Sequence, residues 1–438
     1  MQMMVESSWR FRKTANMKVF TYEEVLDTIE HQRRFGRHPG VEVSGQMLHL
    51  LGDPQEGMPF IHIAGTNGKG SVAAFLCAML QQAGLKTGMF TSPHLVAFEE
   101  RIRVDGKMIE KADVTRLGNR LLQETYENAP TMFDYCLGMA MLYFKEQNCD
   151  VVILETGLGG RLDSTNAVGI PEVSVITKIG YDHMEQLGHT LPQIAAEKAG
   201  ILKKGTCFVM ESQEPEVLQV LFDAAKEAEV EYVRTVRTEE ITDRSFWQGK
   251  QTFSFEGEDW EITLCGNHQY ENAAAAILGA ELFLKKRKIP YERALLKEGL
   301  KNTCWPGRME VLSEQPYFLV DGAHNSNGVR ALSESLRQMF PGEKFHFKMG
   351  VMADKDYEEM ITCLLPLALD FETVTVDSER ALQADVLAAF IREKKVPAVS
   401  LKDWRDCVKK LQVEGRTVAF GSLYFIGEIK KQWNEYLA

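Results

Sequence analysis

The chain has 438 residues, a length that suggests two or three domains rather than one hydrophobic core. Hydrophobic residues make up 45% and charged residues 26%, as in ordinary globular proteins, and the net charge of −12 predicts no nucleic-acid partner, because such binding needs a basic surface. No apolar run approaches the length of a membrane span, no secretory signal is recognisable and the cysteines are scattered, so we expect a cytoplasmic protein without a membrane partner.

The first half of the chain alternates between strand-like and helix-like segments. Residues 1–17 lack an apolar core and are expected to form a disordered extension, with Met17 as a candidate natural start. Four short apolar segments are typical of buried strands, and they lie at 59–64, 86–91, 150–155 and 173–177. The segment at 72–83 favours a helix, so this half predicts a parallel sheet covered by helices on both faces.

A second series of the same kind follows Pro306. Strands are predicted at 317–320, 345–349, 373–376, 398–401 and 417–420, and helices at 328–338 and 357–365. The polar segment at 301–307 contains Pro and Gly and predicts a linker. We therefore predict an α/β protein, with a P-loop ATPase-like domain on a parallel sheet at 18–302 and a smaller Rossmann-like α/β domain at 303–438.

In the first half of the chain, a glycine-rich segment lies between the predicted strand at 59–64 and the predicted helix at 72–83. Its residues are Gly65, Thr66, Asn67, Gly68, Lys69, Gly70 and Ser71. Backbone N–H groups of such a loop bind phosphate and a lysine adds charge, so the segment predicts an ATP site in which Lys69 contacts the terminal phosphates and Ser71 lies near magnesium or a phosphate. It departs from a strict Walker A motif because Gly70 precedes Ser71, and a tight turn that needs glycines is the alternative interpretation.

Polar residues follow three of the predicted strands, in the segments that contain Ser92, Glu155 and His183. Ligands bind at the carboxyl ends of strands in open α/β sheets, and magnesium prefers oxygen ligands, so these segments predict a joint site beside the phosphate loop. Singly, Glu155 also suits a strand-end ion pair and His183 a helix-capping partner. Lys198 lies near the end of a predicted helix, and its position alone indicates a surface lysine.

Together these motifs resemble folylpolyglutamate synthase, including its bifunctional dihydrofolate synthase forms, within the Mur ligase superfamily. The matching strings are HIAGTNGKGSV at 62–72, TSPHL at 91–95, ERIRV at 100–104, ETGLGGRLDSTN at 155–166, DH at 182–183 with LG at 187–188, EKAGI at 197–201, WPGR at 305–308, DGAHN at 321–325, ADKDY at 353–357 and GSLY at 421–424. Several of these strings are individually distinctive, and together they cover most of the chain.

The resemblance implies a ligase that forms a carbon–nitrogen bond. In this family ATP phosphorylates the carboxyl group of a folate, and the amine of L-glutamate attacks the acyl phosphate. The resemblance implies two magnesium ions held by Ser92, Glu155, His183 and Lys198, with Lys198 carboxylated by CO2 so that a cation becomes an anionic oxygen ligand. Lys69, His183 and Lys198 are thereby implied as the catalytic residues.

The resemblance also implies contacts to the nucleotide from both halves of the chain. Asn272, Arg308, Asp321 and His324 match nucleotide-binding positions, which would place ATP in a cleft between the domains with glutamate held from the C-terminal side. Domain closure would then bring Arg308 and the Asp321 segment onto the nucleotide.

Five residues are expected to contact the acceptor substrate on the strength of the same resemblance. Thr131, Phe133 and Asp134 resemble the pterin-site string of bifunctional members, which is usually Thr-x-Phe-Glu, and Arg161 and Asp163 lie in the ETGLGGRLDSTN string. The shorter side chain of Asp134 leaves open whether dihydropteroate is accepted besides folate.

Two alternatives belong beside this interpretation. A Mur-type ligase for another carboxylate acceptor would carry an additional UDP-binding domain, and the residues before Gly65 are too few for it. A non-catalytic ATP-binding module would not need the set Lys69, Glu155, His183 and Lys198. The expected partners are small molecules, namely ATP, L-glutamate and folate or dihydropteroate, and we expect a monomer.

Overall fold

The computed structural model describes residues 18–32, 39–247, 249–409, 411 and 415–437, and the extension predicted at 1–17 lies outside the described residues. The strands are β1 (Phe60–Ala64), β2 (Thr87–Phe90), β3 (Ile102–Val104), β4 (Lys107–Met108), β5 (Val151–Glu155), β6 (Val173–Ile176), β7 (Cys207–Met210), β8 (Tyr232–Thr235), β9 (Thr242–Trp247), β10 (Lys250–Phe255), β11 (Glu258–Ile262), β12 (Glu310–Glu314), β13 (Tyr317–Val320), β14 (Phe345–Met349), β15 (Ala368–Thr373), β16 (Ala398–Ser400) and β17 (Arg416–Phe420). The helices are α1 (Tyr22–Glu30), α2 (Gly40–Leu50), α3 (Lys69–Gln82), α4 (Lys111–Leu122), α5 (Met132–Glu146), α6 (Met184–Leu187), α7 (Leu191–Ala199), α8 (Pro215–Glu227), α9 (Gln269–Lys286), α10 (Arg293–Lys301), α11 (Ser326–Met339), α12 (Tyr357–Leu364), α13 (Ala384–Glu393), α14 (Asp406–Lys409) and α15 (Leu423–Leu437).

The larger sheet has the strand order β4-β3-β2-β5-β1-β6-β7-β8. The strands from β2 to β8 in that order pair in parallel, and β3 and β4 continue the sheet antiparallel at one edge. Strands β1, β5 and β6 are buried on both faces, because α3 and α9 pack on one side and α5, α7 and α8 pack on the other. This is the doubly covered parallel sheet that the alternating segments predict.

The smaller sheet has the order β12-β13-β17-β14-β15-β16 and is parallel except for β12 at its edge. One face packs on α11, α12 and α13, and the other packs on α14 and α15. The predicted fold class is therefore confirmed: two parallel-rich α/β sheets stand in the order and relative size expected. The predicted boundary between 302 and 303 lies in the connection between α10 and β12, and it stays a prediction.

A three-stranded antiparallel sheet, β11-β10-β9, was not predicted. Its inner side chains, among them Phe253, Phe255 and Trp260, join the core that surrounds α9. In β10 these phenylalanines alternate with the exposed Thr252, and that period of two is the signal that could have identified the sheet.

One predicted strand, at 373–376, is wrong. The strand is β15, which pairs with β14 and β16 and ends at Thr373, whereas Val374 and Val376 are buried in the connection that follows. The apolar density is highest just after the strand because that connection also packs in the core. No described helix combines the length and the apolar character that crossing a bilayer requires.

Candidate active site

A cleft of about 1110 Å³ lies where the carboxyl ends of the central strands of the larger sheet face the segments that follow β13 and β14. Its walls include the phosphate loop at 65–71, the segments at 155–160 and 178–183, and, from the C-terminal half, 321–324 and 352–355. A pocket for one drug-sized ligand is typically about 300–1,000 Å³, so this volume suits a nucleotide together with a second substrate.

The phosphate loop is held in place by the segment that follows β6. The backbone N–H groups of Thr66 and Asn67 both donate to the carbonyl of Lys178, at 3.0 and 3.3 Å. The hydroxyl of Thr177 donates to the carbonyl of Asn67 at 2.6 Å. The loop conformation is therefore fixed by hydrogen bonds to the neighbouring strand end.

The glycines of the loop allow neighbouring side chains to approach the backbone so closely that no other residue would fit. A Cβ on Gly65 would lie 1.8 Å from Oγ1 of Thr177, and a Cβ on Gly68 would lie 2.3 Å from Oδ1 of Asn272. Gly68 also has a left-handed φ of 91° and directly precedes α3, whose N-terminus faces the loop. Open backbone at a helix N-terminus beside the ammonium of Lys69 fits a phosphate group.

Lys69, Glu155 and Ser92 lie together at one end of the loop. Nζ of Lys69 is 3.8 Å from Oε1 of Glu155 and donates to two carbonyls of its own loop. The backbone N–H of Ser92 donates to Oε2 of Glu155 at 3.2 Å. Burial raises the pKa of Glu155, and the charge of Lys69 opposes that shift. Ser71 lies deeper, 2% exposed, and its hydroxyl accepts a bond from Gln269.

Lys198 is buried, at 4% exposure. The prediction of a surface lysine, made from its position in the sequence alone, is therefore wrong. Its Nζ donates to the carbonyl of Gly65 at 2.8 Å, so the side chain lies beneath the phosphate loop. Burial, assisted by the charge of Lys69, lowers the pKa of Lys198 to about 7. Two glycines could have indicated this position. Gly160 and Gly200 allow the segment after β5 to contact the end of α7, and a Cβ on Gly160 would lie 2.7 Å from the carbonyl of Lys198.

His183 has a left-handed φ of 49° at the start of α6, an uncommon conformation for a residue other than glycine. Burial lowers the pKa of His183 to about 4, which keeps the imidazole in the neutral form that binds metals. No group of three or more His, Cys, Asp or Glu side chains in the described part of the chain is arranged to hold a metal. Magnesium usually binds through one or two protein oxygens together with waters and substrate phosphates, and the sparse donor set fits that mode.

Asp182 joins the two halves of the chain, and sequence analysis did not assign it a role. Its carboxylate accepts from Nζ of Lys355 at 2.6 Å and from the side-chain amide of Asn325 at 3.0 Å. Nε2 of His324 lies 3.7 Å from the same carboxylate. Burial by itself would raise the pKa of Asp182, but His324 and the charge of Lys355 hold it well below its usual value. Asn325 also exchanges amide hydrogen bonds of 3.2 Å with Asn67 of the phosphate loop.

The residues predicted to contact the nucleotide approach the loop from two directions. Asn272 is 2% exposed in α9 and lies against Gly68. Arg308 and His324 line the cleft from the C-terminal half. Asp321 also lines it, but both its carboxylate oxygens accept backbone N–H groups, from Met309 and Ala323 at 2.8 Å each, so it also shapes the cleft wall.

The predicted acceptor residues fall into two groups. Thr131, Phe133 and Asp163 line the cleft, and the ring of Phe133 packs against Gly157, two residues after Glu155. Asp134 is fully buried behind this wall, where its carboxylate accepts from the hydroxyls of Ser44, Ser164 and Thr131.

Arg161 points away from these residues. Its side chain is 61% exposed and pairs with Glu197. The structure thus brings Thr131, Phe133 and Asp163 to the cleft wall and places Asp134 and Arg161 off it.

Comparison with known proteins agrees with this architecture. Residues 63–280 match the Mur ligase middle domain, and residues 307–420 match the Mur ligase glutamate ligase domain. The dihydrofolate synthase/folylpolyglutamate synthase of Bacillus subtilis is 37% identical over 94% of this chain and 99% of its own.

Solved structures agree as well. Mycobacterium tuberculosis folylpolyglutamate synthase complexed with ADP and AMPPCP has a TM-score of 0.85 at 29% identity, covering 94% of this chain and 98% of its own. E. coli FolC in complex with DHPP and ADP has a TM-score of 0.83 at 25% identity, covering 96% of this chain and 99% of its own. These are complexes with adenine nucleotides, and the site described above has the features that phosphate binding requires.

Proposed function

The chain belongs to the dihydrofolate synthase/folylpolyglutamate synthase family, and from this premise we propose that it ligates L-glutamate to folate with cleavage of ATP to ADP and phosphate. The single observation that carries the proposal is the convergence of Lys69, Glu155 and buried Lys198 at one end of an open glycine loop, inside a cleft between two α/β sheets. The acceptor carboxylate becomes an acyl phosphate, which the amine of L-glutamate attacks.

The chemistry that this site must support is the approach of two anions. A carboxylate reaches the terminal phosphate only if the charge on both is offset, and Lys69 with the N–H groups at the N-terminus of α3 supply fixed positive potential. Lys69 now donates to carbonyls of its own loop, so bound phosphate would replace weak contacts of 3.3 and 3.4 Å. No side-chain nucleophile is needed.

We propose Ser92, Glu155, His183 and carboxylated Lys198 as the residues that hold two magnesium ions. The ions would supply Lewis-acid charge at the phosphates. Lys198 suits carboxylation because CO2 reacts with a neutral amine, and burial keeps a large neutral fraction near pH 7. Its bond to the carbonyl of Gly65 needs only one N–H, which a carbamate retains.

We further propose that residues 18–302 and 303–438 act as the two domains of the ligase. Asn272 with the loop glycines would bind the nucleotide from the first, and Arg308, Asp321 and His324 from the second. Support comes from the cleft-lining positions of all four side chains. A cytoplasmic location and a monomeric state stay predictions.

Dihydropteroate is the second acceptor that the site favours. Phe133 presents a ring to the cleft beside Gly157, and Thr131 stands next to it, an arrangement that suits a flat aromatic substrate. Asp134 would act through Thr131, whose hydroxyl donates to the Asp134 carboxylate, and Asp163 would contact the acceptor from the opposite segment. Arg161 would need to leave Glu197 to take part.

The experiment is a side-by-side assay of glutamate-dependent ADP release with tetrahydrofolate, dihydropteroate and a UDP-muramyl acceptor. We expect turnover with tetrahydrofolate and with dihydropteroate, and no turnover with dihydropteroate would remove it as an acceptor. Turnover only with the UDP-muramyl acceptor would assign a Mur-type ligase, and ADP release with none would leave a non-catalytic ATP-binding module.

A further inference from the structure

A buried carboxyl group on the wall of the cleft is not used by the proposed chemistry. Glu211 lies just after β7, is 2% exposed and lines the cleft. Its Oε2 accepts the backbone N–H of Lys178 at 2.7 Å, but its Oε1 has no hydrogen-bond partner among the described residues. A buried acceptor without a partner costs about 1–3 kcal/mol, so such a group in a ligand cleft indicates a donor that the ligand brings.

The phosphate loop follows β1, and the strand order β5-β1-β6-β7 places Glu155 and Glu211 on opposite sides of it, so the cleft has one arm on each side of the loop. The reacting end of the nucleotide must face Lys69 and Glu155, and Phe133 lies on that same side through its contact with Gly157. The acceptor arm is therefore the one lined by 131–133 and 157–164. The adenine base of the nucleotide must therefore extend away from the acceptor arm, past Gly68, into the arm that the start of α9 borders.

Glu211 lies in this second arm. Its neighbour Glu271 is close enough to raise the pKa of the Glu211 carboxyl further above the value that burial produces. Glu271 directly precedes Asn272, the side chain that lies against Gly68. The carbonyl of Lys178, whose N–H binds Glu211, accepts the loop N–H groups of Thr66 and Asn67. Glu211 is thus linked to the phosphate loop through a single residue, Lys178, on the side where we expect the base.

We propose that Glu211 determines nucleotide specificity, because its free carboxyl oxygen accepts a hydrogen bond from the 6-amino group of adenine. This bond favours the ionised carboxyl, against the burial and the Glu271 charge that raise the pKa of Glu211. An inosine base carries an acceptor oxygen at the same position and would leave the ionised Oε1 without a hydrogen. The inference rests on the proposed use of ATP, and it adds a specificity-determining residue to that reaction. Glu211→Gln retains an oxygen for the N–H of Lys178 and offers an amide donor to the 6-oxo group.

The test compares kcat/KM for ATP and inosine triphosphate in the wild type and in Glu211→Gln. We expect the wild type to prefer ATP by about 10- to 100-fold, as one unpaired buried group predicts, and the ratio in Glu211→Gln to fall by at least about 10-fold. Glu216→Gln, an exposed glutamate in the first turn of α8, is the matched control and should keep the wild-type ratio. An equal loss for both nucleotides in Glu211→Gln would overturn the proposal and leave Glu211 as a support for Lys178.

A binding measurement keeps the inference testable if the variant does not fold or the wild type does not ligate. Calorimetry with ADP and inosine diphosphate on the wild-type protein should show tighter binding of ADP by about 10-fold or more. Equal affinities would overturn the role of Glu211. An enzyme that binds ADP selectively yet ligates no acceptor would contradict the proposed function and leave this inference standing.

Discussion

A lysine beneath a phosphate loop is the most unusual residue of this site. Lys198 is 4% exposed, and within the described ranges its Nζ has one hydrogen bond, to the carbonyl of Gly65. A buried ammonium near the like charge of Lys69 is unfavourable, and the lowered pKa is the result. A carbamate reverses the sign of the charge, so a position that is poor for a cation becomes suitable for an anion beside Lys69 and a metal.

Replacement of Lys198 by alanine is expected to abolish turnover, because it removes the side chain that we propose as an anionic metal ligand. Short carboxylic acids such as acetate should restore part of the activity by occupying the space with an oxygen ligand. The measurement is glutamate-dependent ADP release with and without acetate, and the control is Lys204→Ala, at an exposed lysine nearby. Wild-type rates in Lys198→Ala would remove Lys198 from the site.

The lowered pKa of Lys198 also predicts a pH dependence of stability. Between about pH 7 and the unfolded value of 10.5 the unfolded lysine holds a proton that the folded lysine lacks, so wild-type stability rises with pH in this window. Relative to Lys198→Met, the wild type should improve by up to about 1.4 kcal/mol per pH unit above pH 7, and the difference should be constant below it.

Chemical denaturation of both proteins in CO2-free buffer without nucleotide measures this difference. A difference that stays flat from pH 7 to 9 would mean that Lys198 keeps its proton in the folded state.

Residue types at the site could be predicted from sequence, but their surroundings could not. The strings containing Lys69, Ser92 and Glu155 predicted that these residues meet, and they do. The burial of Lys198 and the wall-facing or hidden positions of Phe133 and Asp134 depend on how separate segments pack. Spacing along one chain carries no such information.

At the scale of elements, the phosphate loop depends on two glycines with different demands. A side chain on Gly65 would clash with Thr177. A side chain on Gly68 would clash with Asn272 and would also have to adopt a positive φ. Gly84 is a control for the positive φ of Gly68 alone, because its φ is 89° and nothing lies within 4 Å of its Cβ position.

Gly68→Ala is expected to raise the KM for ATP by about 10-fold or more, because the new Cβ would displace Asn272 and the loop backbone together. Gly84→Ala should lower the free energy of unfolding by about 1–2 kcal/mol from the positive φ alone, with an unchanged KM. Steady-state kinetics and urea denaturation of both variants check this. Similar KM values in the two variants would mean that strain, and not space at the loop, governs binding.

Element positions followed from apolar patterning wherever strands were buried on both faces, as in β1, β5 and β14. The pattern failed where a connection was as buried as a strand, at Val374 and Val376. It was also missed in β9 to β11, where the sheet covers α9 with one face and leaves polar residues on the other. Strand boundaries are therefore set by pairing partners, which local sequence does not specify.

At the scale of the whole molecule, a small polar cluster around Asp182 is one of the contacts between the two halves, beside the packing of Leu95 against α15. Lys355, Asn325 and His324 reach it from the C-terminal half, and Asn67 links the cluster to the phosphate loop. The phosphate loop and the C-terminal half are thereby connected by direct contacts. Sequence analysis predicted closure of the domains but not the residues that hold them.

Lys355→Met is expected to weaken this contact and to lower the free energy of unfolding by about 3 kcal/mol, because it leaves the buried Asp182 carboxylate without its cation. Small-angle scattering should show a larger radius of gyration, and denaturation should show the loss of stability. Arg330→Met, which breaks an exposed pair with Glu359, is the control and should cost less than about 1 kcal/mol. Equal behaviour of the two variants would contradict a joining role for Asp182.

The central claim is that the acceptor carboxylate attacks ATP held by the loop at 65–71, so that one of its oxygens leaves with the phosphate. The direct measurement is turnover with a folate whose terminal carboxylate carries oxygen-18, followed by mass spectrometry of the released phosphate. We predict one labelled oxygen in each phosphate, released together with one ADP and one glutamylated product. Unlabelled phosphate, or ADP release that does not depend on the acceptor, would contradict the account.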